Sequence, residues 1–350
     1  METDPTVEVV VHTATDAVRW RAASASLAFD ASPGSPWLLV PPTVREAFDA
    51  LRGSGVPLAD TAFGSPMLGV KSGCNLAFLV SLEQADGALD ACGHGLVAVR
   101  AVESADRQLP PRRGPMEHAL LRPVVRGQTL APWVGPVAGV QAGKTSRWHP
   151  GEGACQEHII WTHDDGADGA TPPRRRLPPY ARRWLGHYRH RLAARSDTRG
   201  RMPWWSLFRT ESAMTLQPRV VWSDFGRVPR AAVLPAGDPT VPLNTCYVAR
   251  AATLADAQVL AALLNSEPVA AWLNVLAEPA RGGFKRYLGW TVGLLTLPAR
   301  WGQARTRLAP LAARAAAGEP PSTAELTQAV ASAYGLGLDA LEPLFAWMSR

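Results

Sequence analysis

The feature that most constrains this chain is a change of hydrophobic period near Thr253. Before it, apolar residues come mostly in short runs of strand length, broken by Gly- and Pro-containing turns. Examples are "VEVVVH", "GLVAVRAVE", "EHIIW", "PRVVWSDFG", "RAAVLPAG" and "LNTCYVAR". After it, "TLADAQVLAALLNSEPVAAWLNVL" carries Leu254, Val259, Leu260, Leu263 and Leu264 at helical spacing. Pro268 is expected to divide that stretch into two helices. Ser322 and Glu325 have the spacing of a capping box that starts a further helix in the tail. The switch predicts an α+β protein, with a mixed or antiparallel sheet region followed by a helical C-terminal portion.

Two helices are expected before the switch. "TVREAFDALRGSG" places Val44, Phe48 and Leu51 on one face and ends at Gly53. "YARRWLGHYRHRLAAR" repeats Tyr180, Trp184, Tyr188 and Leu192 every fourth residue, with arginines on the other faces. No stretch of about twenty apolar residues exists, so no membrane span is expected. The start, "METDPTVEVV", lacks the basic and apolar regions of a signal peptide. Cys74, Cys92, Cys155 and Cys246 form no Cys-x-x-Cys pair, which argues against a zinc framework or a disulfide scaffold and suits a reducing cytoplasm.

Charge is more informative in its distribution than in its total of +6. Lys71, Lys144 and Lys285 are the three lysines among 36 basic residues, which leaves 33 arginines. Eleven of these fall between Arg174 and Arg209, where Asp197 is the one acid. That segment carries +10, and by difference from +6 the remainder carries −4. A concentrated basic block on a near-neutral body is the footprint of a polyanion-binding protein.

Several motifs carry less than they promise. "AGVQAGKT" at 138–145 fits a loose phosphate-loop pattern, but Ala138 replaces the first Gly. Pro150, Gly151 and Gly153 oppose the helix that must follow Lys144 and Thr145. His149, Cys155, His158 and His163 match no structural zinc spacing. "THDD" at 162–165 reads as a solvated turn. "LPPY" at 177–180 is a near miss to the Asn/Asp/Ser-Pro-Pro-aromatic site of adenine methylation, because Leu177 cannot accept hydrogen bonds from a flipped base. "LRGSGVP" at 51–57 follows a helix, whereas a methyl-donor loop follows a strand. Aromatic and basic residues interleave in "RGRMPWWSLFRT" and in "ARGGFKRYLGW", a pattern that suits bases and phosphates.

Taken in order, the segments resemble the target-recognition region of adenine-N6 DNA methyltransferases. The likeness is to the TaqI-type specificity domain, found also in type IIG restriction–modification enzymes and phage-exclusion methyltransferases. "LGVKSGCNLAFLV" is similar to that family's Gly-x-Lys-Thr-Gly-x-Asn-x-x-Phe segment, with Ser72 in place of Thr. "LLRPVVRGQTLAPW" resembles its Leu-Arg-Pro-hydrophobic-hydrophobic-Arg-Gly segment ending in Trp. "YRHRLAAR" with "PWWSLFR", then "PRVVWSDFG", "PLNTCYVAR", "ALLNSEPVAAWL" and "ARGGFKRYLGWTVGLLTLP", resemble the elements that follow. The likeness covers roughly residues 36–300 and does not include the catalytic half.

The resemblance implies a DNA-specificity subunit, or a decayed fragment, that positions a separate methyltransferase on double-stranded DNA in a restriction–modification or phage-defence system. It implies no cofactor in this chain, with S-adenosylmethionine held by the partner. Residues 1–40 would be the edge of a missing methyltransferase domain or a linker, 41–300 the recognition domain, and 301–350 a helical tail. The expected DNA contacts are Lys71, Asn75, Arg122, Arg126, Gln128, Arg182, Arg183, Arg189, Arg281, Lys285 and Arg286. Gly73, Gly282 and Gly283 would supply positive φ or close backbone approach, and Trp133, Trp204 and Trp222 would belong to the core. The alternative is a stand-alone enzyme, either a diverged DNA methyltransferase or a nucleotide hydrolase using Lys144 and Thr145.

Overall fold

The computed structural model describes residues 5–12, 16–83, 95–103, 111–133, 157–198 and 202–350. The loop holding Lys144 and Thr145, together with His149, Cys92 and Cys155, lies outside them. The protein is α+β, with its long helices toward the C-terminus. It divides into two units: Met1–Ser65, Phe225–Arg230 and Gln258–Arg350 form one, and Pro66–Asp224 and Ala231–Ala257 form the other. Residues 41–300 contribute to both.

The second unit is built on two sheets. Six strands run in the spatial order Val241–Pro242, Leu121–Val125, Glu157–Ile160, Leu79–Leu82, Leu96–Ala101, Arg113–Glu117. Every pairing is antiparallel except the short parallel contact of Val241–Pro242 with Leu121–Val125. Leu79–Leu82 is central, with neighbours on both sides, and buries Leu79, Val80 and Ser81 in succession rather than in alternation. The smaller sheet joins the three strands expected from "PRVVW", "RAAVL" and "CYVAR" and adds Met67–Leu68. Val221 sits opposite both Ala232 and Val248, which builds a second small core.

Basic helices pack on the larger sheet. Trp184, Leu185, Tyr188 and Leu192 join Phe78, Met116 and Ile159 in one core. The sequence predicts one helix here, whereas the chain forms Pro179–Gly186 and Arg189–Ala193. Gly186 weakens the helix, and Tyr188 takes φ −99° and ψ 7°, with its N–H bonded three residues back to the Leu185 carbonyl. Tyr180, expected on the buried face, is 38% exposed because it lies in the first turn, beyond the sheet-facing stripe.

In the first unit, the Pro42–Arg52 helix buries Val44, Phe48 and Leu51 as expected and ends at Gly53. Phe48 stacks on Trp272 with centroids 4.8 Å apart, and Trp272 Nε1 donates to the Phe48 carbonyl at 3.1 Å. Leu254–Leu264, which belongs to this unit from Gln258 on, and Glu267–Leu276 are separate helices bent by 67°. Ser266 caps the second, and Pro268 occupies its first turn, where a missing N–H is tolerated. Leu254 is exposed, which corrects the expected face, while Val259, Leu260, Leu263 and Leu264 are fully buried. Ser322 accepts from the Glu325 N–H at 3.1 Å, but the Glu325 carboxylate turns to Arg314, so only half of the capping box forms. No single helix among the described residues is long and apolar enough to cross a membrane.

Candidate nucleic-acid interface

The loop from Lys71 to Asn75 is held by a buried arginine. Gly73 has φ +65°, as its place in the motif requires. Arg195 donates to the Ser72 carbonyl, to the Trp204 carbonyl at 2.7 Å and to the Leu192 carbonyl at 3.0 Å. Its guanidinium lies 4.9 Å from the Phe208 ring centroid and 5.6 Å from that of Phe78. Burial pulls its pKa below the ordinary value, with Cys74 and Asp197 opposing. Lys71 is exposed and pairs with Asp197 at 2.9 Å. Asn75, half-buried at the start of Asn75–Phe78, accepts from Ser72 Oγ at 2.7 Å. Sequence reasoning counted Arg195 within the polyanion-binding basic block. The missed signal is its position three residues after Leu192, which continues the buried stripe.

Beside that loop stands the basic helix pair. "LPPY" proves to be its start: Leu177 is buried, and Pro179 begins the helix. The Glu117 carboxylate caps it from a neighbouring strand, accepting from the Tyr180 N–H at 2.8 Å and the Ala181 N–H at 2.9 Å. A carboxylate there satisfies orphan donors and complements the helix dipole. Arg182, Arg183 and Arg189 are all exposed, as are Arg175, Arg176, Arg191 and Arg209. The Arg189 guanidinium lies 5.8 Å from the Trp204 centroid. Arg112, on the inner side, covers the rings of Trp184 and Tyr188.

Arg122 and Arg126 share one face of Leu121–Val125 and its end, and both are largely buried. Arg122 pairs with Asp165 and covers the Trp161 ring at 4.3 Å, its side chain 14% exposed. Burial lowers its pKa, with Asp165 opposing. Arg126 Nε pairs with Glu157 at 2.7 Å, and its side chain is 16% exposed. Arg122 Nη1 and Arg126 Nη2 are themselves buried and have no hydrogen-bond partner among the described residues. Gln128 is exposed next to Gly127. A Cβ at Gly127 would lie 2.5 Å from the Thr245 carbonyl oxygen, so only glycine lets this turn pack and present Gln128.

The remaining candidates lie in the first unit, on Phe284–Arg286 and the turn before it. Arg281 and Arg286 are exposed. Lys285 is half-buried, donates to the Asn274 carbonyl at 3.2 Å, and has its pKa lowered by burial. Gly282 and Gly283 have φ +77° and +75°, as expected. Trp222 is fully buried, whereas Trp133 and Trp204 are only half-buried.

His163 is committed to the fold. Its Nε2 accepts from the Leu207 N–H at 2.9 Å, which leaves Nδ1–H to donate to the Thr171 carbonyl at 2.6 Å. Both ring nitrogens of the neutral form are thus used. Burial lowers its pKa, and the Thr171 hydrogen bond opposes the shift. Among the described residues no group of three His, Cys, Asp or Glu side chains could hold a metal.

No protein-family model matches the chain, and no curated protein matches it. Seventeen solved chains match (17). One is the type IIL restriction–modification enzyme MmeI in complex with DNA, at 13% identity and a TM-score of 0.44, covering 84% of this chain. The chain spans 36% of the length of that enzyme.

Proposed function

We propose that this chain is the DNA target-recognition part of an adenine-specific modification system, which places a separate S-adenosylmethionine-dependent methyltransferase on double-stranded DNA. The observation that carries the reading is the exposed arginine face of Pro179–Gly186 and Arg189–Ala193. Between Arg174 and Arg209 the one acid is Asp197, and its carboxylate is engaged by Lys71. Arg182, Arg183 and Arg189 would meet phosphates and set register. Gln128 and Asn75 would read base edges in the major groove, and Arg122 and Arg126 would reach DNA only by leaving their ion pairs with Asp165 and Glu157. Arg281 and Arg286 would add backbone contacts, with Lys285 on the same strand as Arg286. Residues 41–300 would act as the recognition region, with 1–40 and 301–350 flanking it.

The test has two arms. Fluorescence anisotropy with random and selected duplexes measures binding by the chain alone. Radiolabelled methyl transfer is measured with the chain alone, then with a methyltransferase encoded beside it that carries Asn-Pro-Pro-Tyr. Binding by the chain, with adenine methylation only when the partner is added, is the expected result. Methylation by the chain alone would overturn the division of labour, and failure to bind any duplex at low salt would overturn the reading itself. Calorimetry with ATP and magnesium is expected to show no binding at Lys144.

A further inference from the structure

Two segments 60 residues apart in sequence meet in the first unit's small three-stranded sheet. Phe225–Gly226 pairs with Phe284–Arg286, which pairs in turn with Glu278–Ala280. The Phe225 and Phe284 rings are parallel, with centroids 4.7 Å apart and planes 4° apart. The Arg227 guanidinium lies 5.5 Å from the Phe284 centroid. Below them, the buried Tyr287 hydroxyl donates to the Arg227 carbonyl at 3.0 Å and fixes that strand end. The group is built, yet it faces solvent: Phe225 is 39% exposed, and Arg227, Arg281 and Arg286 are exposed.

Exposed Phe225, stacked on half-buried Phe284, adds little to a three-stranded sheet by burial. Its neighbours Arg227, Arg281 and Arg286 are cationic, set against Asp224 next to Phe225 in the chain and Glu278 opposite Arg286 in register. Rings and guanidinium planes beside arginines offer what a nucleotide needs, a π-face for the base and cations for its phosphates. The bare Gly282–Gly283 turn lets a polynucleotide backbone come close. Bases inside a duplex are already stacked and present no face, so the ligand must be a base that has left the helix. We infer that Phe225, Phe284 and Arg227 form a stacking platform for an unpaired nucleobase of DNA, with Arg281 and Arg286 on the flanking phosphates. This rests on the DNA-binding reading above and adds a second mode of contact to it.

The experiment compares a perfect duplex with the same duplex carrying one bulged 2-aminopurine. Wild type is expected to bind the bulged duplex at least about fivefold more tightly, which is the low end of base–aromatic stacking, and to quench the probe. Phe225→Ala and, separately, Arg227→Ala should abolish the preference and the quenching. Both should keep wild-type affinity for the perfect duplex, which also certifies that they fold. Equal binding of both duplexes by wild type, without quenching, would overturn the platform and leave the DNA reading standing. A preference that survives both substitutions would also overturn it. Binding to neither duplex would overturn the DNA reading itself.

Discussion

Arg195 occupies the space where a side chain on Gly73 would begin: a Cβ built at Gly73 would lie 2.7 Å from Arg195 Cδ. The loop bearing Lys71 and Asn75 is thus shaped by a cation from the basic block. Gly73→Ala must place alanine at φ +65° and displace an arginine held by three carbonyls. The expected loss is about 1–3 kcal/mol, read by urea unfolding. A wild-type midpoint would show that this packing has been misjudged.

Lys71 is balanced by Asp197 across an exposed contact. Asp197→Asn should leave thermal stability nearly unchanged, because exposed pairs contribute little. It should release the Lys71 ammonium to DNA, tightening binding to every sequence and steepening the salt dependence by up to about 0.9 in slope. Unchanged affinity and slope would remove Lys71 from the interface.

Glu117 should matter through the helix it caps. Glu117→Ala leaves two N–H groups unsatisfied at the start of Pro179–Gly186. The expected cost is about 1–2 kcal/mol, seen in chemical denaturation. Affinity for all duplexes should weaken with it, because Arg182 and Arg183 ride on that helix.

His163 sets a pH dependence of stability. Its pKa is lowered in the fold from 6.5, so the unfolded chain binds a proton that the folded chain resists. Its contribution is therefore full above the unfolded value. It is lost progressively as pH falls below about 6.5 towards the lower folded value. Urea unfolding at pH 7.5 and 5.5 should show a larger drop for wild type than for His163→Gln. Equal drops would mean that the ring is not held neutral.

Much of the fold was legible in the period of the apolar residues. The three strands "PRVVW", "RAAVL" and "CYVAR" share one sheet, with the first between the other two, as short apolar runs separated by turns suggest. The division near Pro268 follows from proline's missing N–H. What stayed hidden depends on contacts distant in sequence. Nothing near residue 180 says that Glu117 will cap it, and nothing near residue 227 says that Phe284 will lie beneath it. Composition could not separate Arg195, bound to three carbonyls, from exposed Arg182, because both stand in one arginine-rich run. Arg122 and Arg126 were equally opaque, since their partners Asp165 and Glu157 arrive from other segments.

The most direct test of the central claim is a salt titration of DNA binding by Arg182→Ala/Arg183→Ala. Each phosphate contact contributes a slope of about 0.9 in log affinity against log salt. The double variant should bind specific and random duplexes more weakly to the same degree, with a slope flatter by roughly two contacts' worth. Gln128→Ala, run beside it, should change discrimination between duplexes and leave the slope alone. If the double variant binds both duplexes with wild-type affinity and slope, the exposed arginines are a solvated face and the account is wrong.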